Sequence, residues 1–177
     1  MNNKIFYLFF FGIILALSRI IPHPPNFTPI LASAIMSPML IKNKKFAIML
    51  PLLAMFISDL IIGFHIYQFV VYFSILIIIL FSSINKKNYM SLIFTVLISC
   101  ILFFILTNFA VWVAWDYYPK TFIGLLNCYT LAIPFFYNTL ISTFIFTLLI
   151  RFFIKQIEEF NLKTSSFIFG ILKKNIL

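Results

Sequence analysis

SRIIPHPPNFTP, Ser18–Pro29, breaks an apolar stretch that would otherwise run unbroken from Ile5 to Ile41. Pro22, Pro24, Pro25 and Pro29 crowd into it. Proline fixes its own φ, carries no N–H and pushes the residue before it out of the helical region, so no helix passes through. Reading the stretch as a loop divides the N-terminal region into two apolar segments, Ile5–Ile21 and Thr28–Ile41. The same prolines predict an extended, polyproline-like path with few conformers. Such a path holds Arg19, His23 and Asn26 at low ordering cost, as a binding loop requires. A rigid connector between two helices is the plainer alternative.

Four more apolar segments follow: Phe46–Phe64, Ile66–Ser83, Met90–Trp115 and Ile133–Ile154. The 177 residues are 63% hydrophobic and 10% charged. A soluble domain averages about 25% charged, and a chain of this length could not hide so much apolar surface from water. A spanning helix needs ~20 apolar residues, and the six segments scatter around that length. The composition therefore predicts an integral membrane protein.

Charge placement predicts its orientation. Of the 13 Lys and Arg, with six spans drawn, only Arg19 and Lys120 fall on one side; all the rest fall on the other. The positive-inside rule then places both termini of this multi-pass protein in the cytoplasm. The stretch KTFIGLLNCYTLA, Lys120–Ala132, is too short and too interrupted to span. It reads as a short re-entrant or interfacial helix before the last span, on the outer side. The expected fold is an all-α membrane protein, a six-transmembrane-helix bundle over residues 1–155. Residues 156–177 form a basic cytoplasmic tail whose apolar patch lies at the inner surface.

Several function classes are excluded or disfavoured. The net charge of +9 is distributed as membrane-orienting clusters, with no nucleic-acid-reading motif, so no nucleic-acid partner is expected. No Gly-rich nucleotide loop, His-Glu-x-x-His run or Ser–His pairing is present, so the chain reads as no enzyme, with no catalytic residue, metal site or cofactor. Cys100 and Cys128 lie at different predicted depths and read as free thiols. The N-terminus has the layout of a signal peptide, but Arg19 and the return to Ile20-Ile21 argue against cleavage.

The uncommon residues collect at the outer end. Asp59 stands near the end of the third segment, and a carboxylate in a span costs about 2.5–3.5 kcal/mol unless it meets a partner or a cavity. Arg19, near the same end of the first segment, is its expected partner, and a purely structural pair is the alternative. His23 and His65 flank this zone. Asn108 and Trp112 are four residues apart and share a helix face with Trp115 or Asp116. Asn127 and Tyr129 fall in the re-entrant stretch, and Asn138 near the outer start of the last span. Together Arg19, His23, Asn26, Asp59, His65, Asn108, Trp112, Asn127, Tyr129 and Asn138 are the candidate binding residues for a small molecule. Gly12 and Ala16, four apart on the first segment, form a small-residue face that packs within the bundle or docks a partner helix.

The strings RIIPHPPNFTPI, LPLLAMFISDLIIGFH, Val71-Tyr72, LTNFAVW and YPKTFIGLLNCYTLAIPFFYNTL resemble an uncharacterised family of small bacterial membrane proteins described as transport proteins. The likeness runs from the first segment into the sixth. In size and hydropathy that family is similar to the substrate-binding S components of energy-coupling-factor transporters. The resemblance implies six helices, cytoplasmic termini, an outward-facing pocket for a small nutrient such as a vitamin, and a membrane coupling subunit with ATPases as partner. It also implies that Gly12–Ala16 contacts that subunit, although glycine stands where the family motif begins with alanine. A membrane assembly or scaffold protein with no small-molecule ligand is the second reading; it expects a solidly packed outer end.

Overall fold

The computed structural model describes residues 3–84 and 88–174, and the side chains of residues 11–84 and 88–157. Six helices follow in order: α1 Asn3–Ile20, α2 Ile30–Leu40, α3 Lys44–Ile62, α4 Gln68–Ile84, α5 Tyr89–Ala114 and α6 Phe122–Lys174. Short connections make successive helices antiparallel. One end of the bundle therefore gathers the α1–α2, α3–α4 and α5–α6 loops, and the opposite end carries Lys42, Lys44, Lys45, Arg151 and Lys155.

Three helices are long and apolar enough to cross a membrane: α3, α5 and the Phe122–Ile157 part of α6. The second segment, short already in the sequence, is the shortest helix as well. Its 11 residues extend only about 16 Å at 1.5 Å per residue, roughly half of a ~30 Å hydrocarbon core. Yet α2 is the centre of the molecule. Every residue from Ile30 to Ser37 is buried, and α3, α4, α5 and α6 all pack against it. Ala32, Ser33, Ala34 and Ser37 supply the small surface that lets so many neighbours approach. Ser82 Oγ on α4 donates to the Ile35 carbonyl at 2.5 Å. An interhelical bond of this kind averages about 0.6 kcal/mol in a membrane protein.

The residues Phe122–Ala132 are not a separate re-entrant or interfacial element. They are the first turns of α6, which continues without interruption to Lys174. Pro134 removes the N–H that the Thr130 carbonyl would receive, but Pro is tolerated inside membrane helices whose neighbours hold the line. Here α6 packs along both α5 and α2. The basic tail beyond residue 155 continues the same helix, and the side chains of its apolar patch lie outside the described residues.

The face Gly12–Ala16 is used inside the bundle. Ala16 is 3% exposed and belongs to the core, and a Cβ on Gly12 would meet Leu50 Cδ1 of α3 at 3.3 Å. Of the two readings of this face, packing within the bundle is the one these contacts match, with α3 lying against it.

Candidate functional site

The proline-rich loop sets the first wall of the site. Ser18 Oγ donates to the Leu15 carbonyl at 2.7 Å, and α1 stops just before Pro22. The path is not extended throughout, as the prolines alone predict. Pro24–Phe27 forms a β-turn closed by the Phe27 N–H on the Pro24 carbonyl at 2.9 Å, with Asn26 at φ 63°. Proline at the second position and a left-handed Asn at the third are the signature of a type II turn. The turn is fastened to α6. Asn138 Nδ2 donates to the Pro25 carbonyl at 3.0 Å, Ser142 Oγ to the Asn26 carbonyl at 3.4 Å, and Phe27 meets Phe146 edge-on.

Arg19 and Asp59 do meet. Arg19 Nη1 lies 2.5 Å from Asp59 Oδ1 and also donates to Ser58 Oγ and the Met55 carbonyl. The other carboxylate oxygen accepts from Gln68 Nε2 and Tyr72 Oη, each at 2.8 Å. Asp59 is 1% exposed, so both its oxygens are satisfied by protein alone. Gln68 is fixed in turn: its Oε1 accepts the His65 N–H at 3.3 Å, and its Nε2 also reaches Tyr72 Oη at 3.2 Å. Gly63, at φ 105°, ends α3 in a conformation that only glycine adopts readily, letting the chain fold back so that Gln68 faces Asp59.

Arg19 faces inward onto a cavity of about 640 Å³ at the loop end of the bundle. Ligand sites commonly enclose about 300–1,000 Å³. α5 contributes Phe104, Asn108 and Val111, and its C-cap Trp115 follows at the same three- and four-residue spacing. α6 contributes Cys128, Ala132, Phe136, Thr139 and Thr143 by the same spacing. Ile30 and Leu31 at the start of α2, with Met55 and Ile75, form buried wall, while His23, Asn26, His65 and Trp115 stand at the exposed mouth. Rings continue across that mouth: His65 lies 4.2 Å from Tyr67, which meets Trp115 edge-on at 5.9 Å. The pKa of His65 is lowered, first by its partial withdrawal from water and then by Arg19, against the opposing pull of Asp59.

Of the candidates read from sequence, Arg19, His23, Asn26, His65 and Asn108 line this cavity. Five do not. Asp59 sits behind Arg19 as its anchor. Trp112 turns its Nε1 to the Pro119 carbonyl at 3.0 Å, and its own carbonyl accepts from Lys120 Nζ. Asn127 is exposed. Tyr129 Oη donates to the Ile105 carbonyl at 2.7 Å, joining α6 to α5. Asn138 serves the turn. Asn108 itself donates back to the Phe104 carbonyl at 2.8 Å.

Tyr67, Tyr118, Thr139 and Thr143 were not foreseen as lining residues, nor Gln68 and Tyr72 as partners of Asp59. The threonines carry a four-residue spacing that reads equally as helix packing. Gln68 follows Asp59 closely enough to suggest a shared turn. Among the described residues no group of three or more His, Cys, Asp or Glu is placed to hold a metal. Cys100 and Cys128 are both free.

An all-helical bundle of membrane-protein composition, with a charged and aromatic cavity at one end, is thus the class that the fold and site define. The chain belongs to a family of unknown function (DUF6580), whose model matches residues 1–161. No curated protein and no solved structure matches it.

Proposed function

We propose that the protein is a multi-pass subunit of a bacterial inner-membrane transport system, one that captures a small nutrient in the cavity at its loop end. In this reading all six helices sit in the membrane, α2 buried among the others, with both termini in the cytoplasm and the cavity facing outward. The protein is then the S-component-like part of a transporter and performs no chemistry. A membrane coupling subunit with ATPases is the partner that would supply energy, because no nucleotide-binding loop is found in the sequence.

One observation carries the proposal: a 640 Å³ cavity with an arginine in its wall, in a chain where only 10% of residues are charged. Placing such a group inside a bundle is costly unless it serves a partner or a pathway. A scaffold protein would gain more from filling the space, since each void in a core forfeits packing contacts. Polar groups converging in an apolar, aromatic hollow are the usual composition of a small-molecule site.

The test is extraction in mild detergent, followed by mass spectrometry of whatever small molecule denaturation releases. An Ala132→Trp variant, which fills the cavity from α6, serves as the comparison. A compound released by the native protein and missing from the variant supports ligand capture. Identical profiles from two well-folded preparations, together with no uptake phenotype on deletion, would sink it.

A further inference from the structure

We infer that the cavity selects a small oxyanion, a carboxylate or phosphate group, carried on a flat aromatic or conjugated body. The inference rests on the ligand-capture reading above and gives its ligand a chemical class.

The first support is the unspent edge of Arg19. A guanidinium carries five N–H donors in a planar fork. All the hydrogen bonds of Arg19 leave from Nη1, toward Asp59, Ser58 and Met55. Nη2 and Nε have no protein acceptor among the described residues, and Arg19 lines the cavity. A fork held by one nitrogen and open at the other two presents the geometry that carboxylate and phosphate match.

The second is the distribution of charge. Asp59 neutralises Arg19 formally, but its oxygens are engaged on the far side by Gln68 and Tyr72 as well as by Arg19 itself. The sharing leaves the positive edge of the pair directed at the hollow. No Asp or Glu lines the cavity among the described residues. The carboxylate that a charge-assisted bond to a cation uses is therefore missing from the wall.

The third is the end of α2. Ile30 and Leu31 belong to the cavity wall, and no side chain caps this helix, whose N-cap is Pro29. Ser33 is the first α2 residue whose N–H reaches a backbone carbonyl, that of Pro29 at 2.8 Å. The preceding N–H groups and the positive end of the helix dipole therefore add to the field of Arg19. The body of the ligand follows from the rings. Phe104 and Phe136 lie 5.0 Å apart in the wall, and Tyr67 and Trp115 stand at the mouth. Flat apolar surface would be accommodated there by offset or edge-on packing.

The experiment uses the full chain in nanodiscs of zwitterionic lipid and calorimetric titration with three probes of one shape: naphthylacetate, its neutral amide and naphthylethylamine. Naphthyl phosphate is a fourth arm, separating phosphate from carboxylate preference. Expected is saturable binding of an oxyanion about tenfold or more tighter than the amide, and weakest binding of the amine. Arg19→Lys keeps a cation beside Asp59 but has no second and third nitrogen to offer, so it should cut the preference for anion over amide by about tenfold, leaving only what charge and the α2 terminus supply, while the unliganded protein melts near the native temperature. Amide or amine binding as tight as the anions, or an anion preference undiminished in Arg19→Lys, overturns the assignment and leaves ligand capture standing. Loss of probe binding in discs containing an anionic phospholipid would assign the site to a lipid headgroup and overturn the soluble ligand. Failure of all four probes to bind overturns the assignment; joined to an empty extraction, it removes the transport reading too.

Discussion

Asp59 lies against Arg19 at 2.5 Å, the acid fully enclosed and the base lining a cavity. The pair divides its labour: one member anchors, the other faces the hollow. Asp59→Ala leaves the guanidinium without its counter-charge and strands Gln68 and Tyr72. Breaking a buried pair from one side costs about 3–5 kcal/mol, and the 17% exposure of the Arg19 side chain puts this case near the low end. The melting temperature in detergent should fall clearly for Asp59→Ala. It should recover substantially in the double variant Asp59→Asn, Arg19→Gln, where no charge is left unpaired. A double variant no more stable than Asp59→Ala would refute this account.

Gly124 permits the α5–α6 connection to close. A Cβ there would stand 2.0 Å from the Pro119 carbonyl oxygen. That oxygen accepts from Trp112 Nε1, and Lys120 Nζ caps the end of α5 by donating to the Trp115 carbonyl at 2.7 Å. Backbone cannot yield as a flexible side chain does. Gly124→Ala should therefore free Trp112 from Pro119, shifting tryptophan emission and lowering stability by about 1–3 kcal/mol. An unchanged spectrum and melting point would show that the close approach is relieved elsewhere.

Asn26 occupies a left-handed position at φ 63°. Left-handed backbone costs most residues about 1–2 kcal/mol, which Gly avoids and a β-branched residue feels in full. Asn26→Gly should leave stability and ligand retention close to native. Asn26→Val should lower both, because the turn it distorts is the one tied to Asn138 and Ser142. Equal behaviour of the two substitutions would argue against the turn as a determinant of the site.

His65 supplies the pH dependence. Its pKa is lowered, so the folded state binds its proton less readily than the unfolded chain. Stability contributed by neutral His65 is complete above the ordinary value of 6.5 and is lost as pH falls from there through the lowered folded value. Melting temperature should drop on acidification below pH ~6.5, and less steeply in His65→Gln. Parallel curves for the two proteins would assign the acid sensitivity to other groups.

Much of the architecture is legible along the chain. The proline cluster ends α1 because Pro cannot propagate a helix, and the N-terminal boundaries fall within a few residues of the apolar runs. The pairing of Arg19 with Asp59 is legible for a related reason: few charges occur inside these runs, and each needs a counterpart nearby. The start of α6 misleads, since Gly124 and Pro134 look like punctuation. Helix packing on α5 and α2 carries the helix through both.

The cavity shows where linear reading stops. Spacing places Asn108, Trp112 and Trp115 near one face of α5, yet Trp115 reaches the hollow while Trp112 bonds Pro119. Periodicity states which residues are angular neighbours on a helix; it does not state how the helix is rotated against the rest.

Composition and charge by themselves determine a greasy helical chain whose internal ions must pair, because hydrocarbon gives an isolated ion no compensation. Tertiary structure alone decides that short α2 is the central post, that Asp59 stands behind Arg19, and that particular faces of α5 and α6 enclose a space. Those outcomes depend on rotations and contacts between helices distant in sequence, set by the packing of all six together.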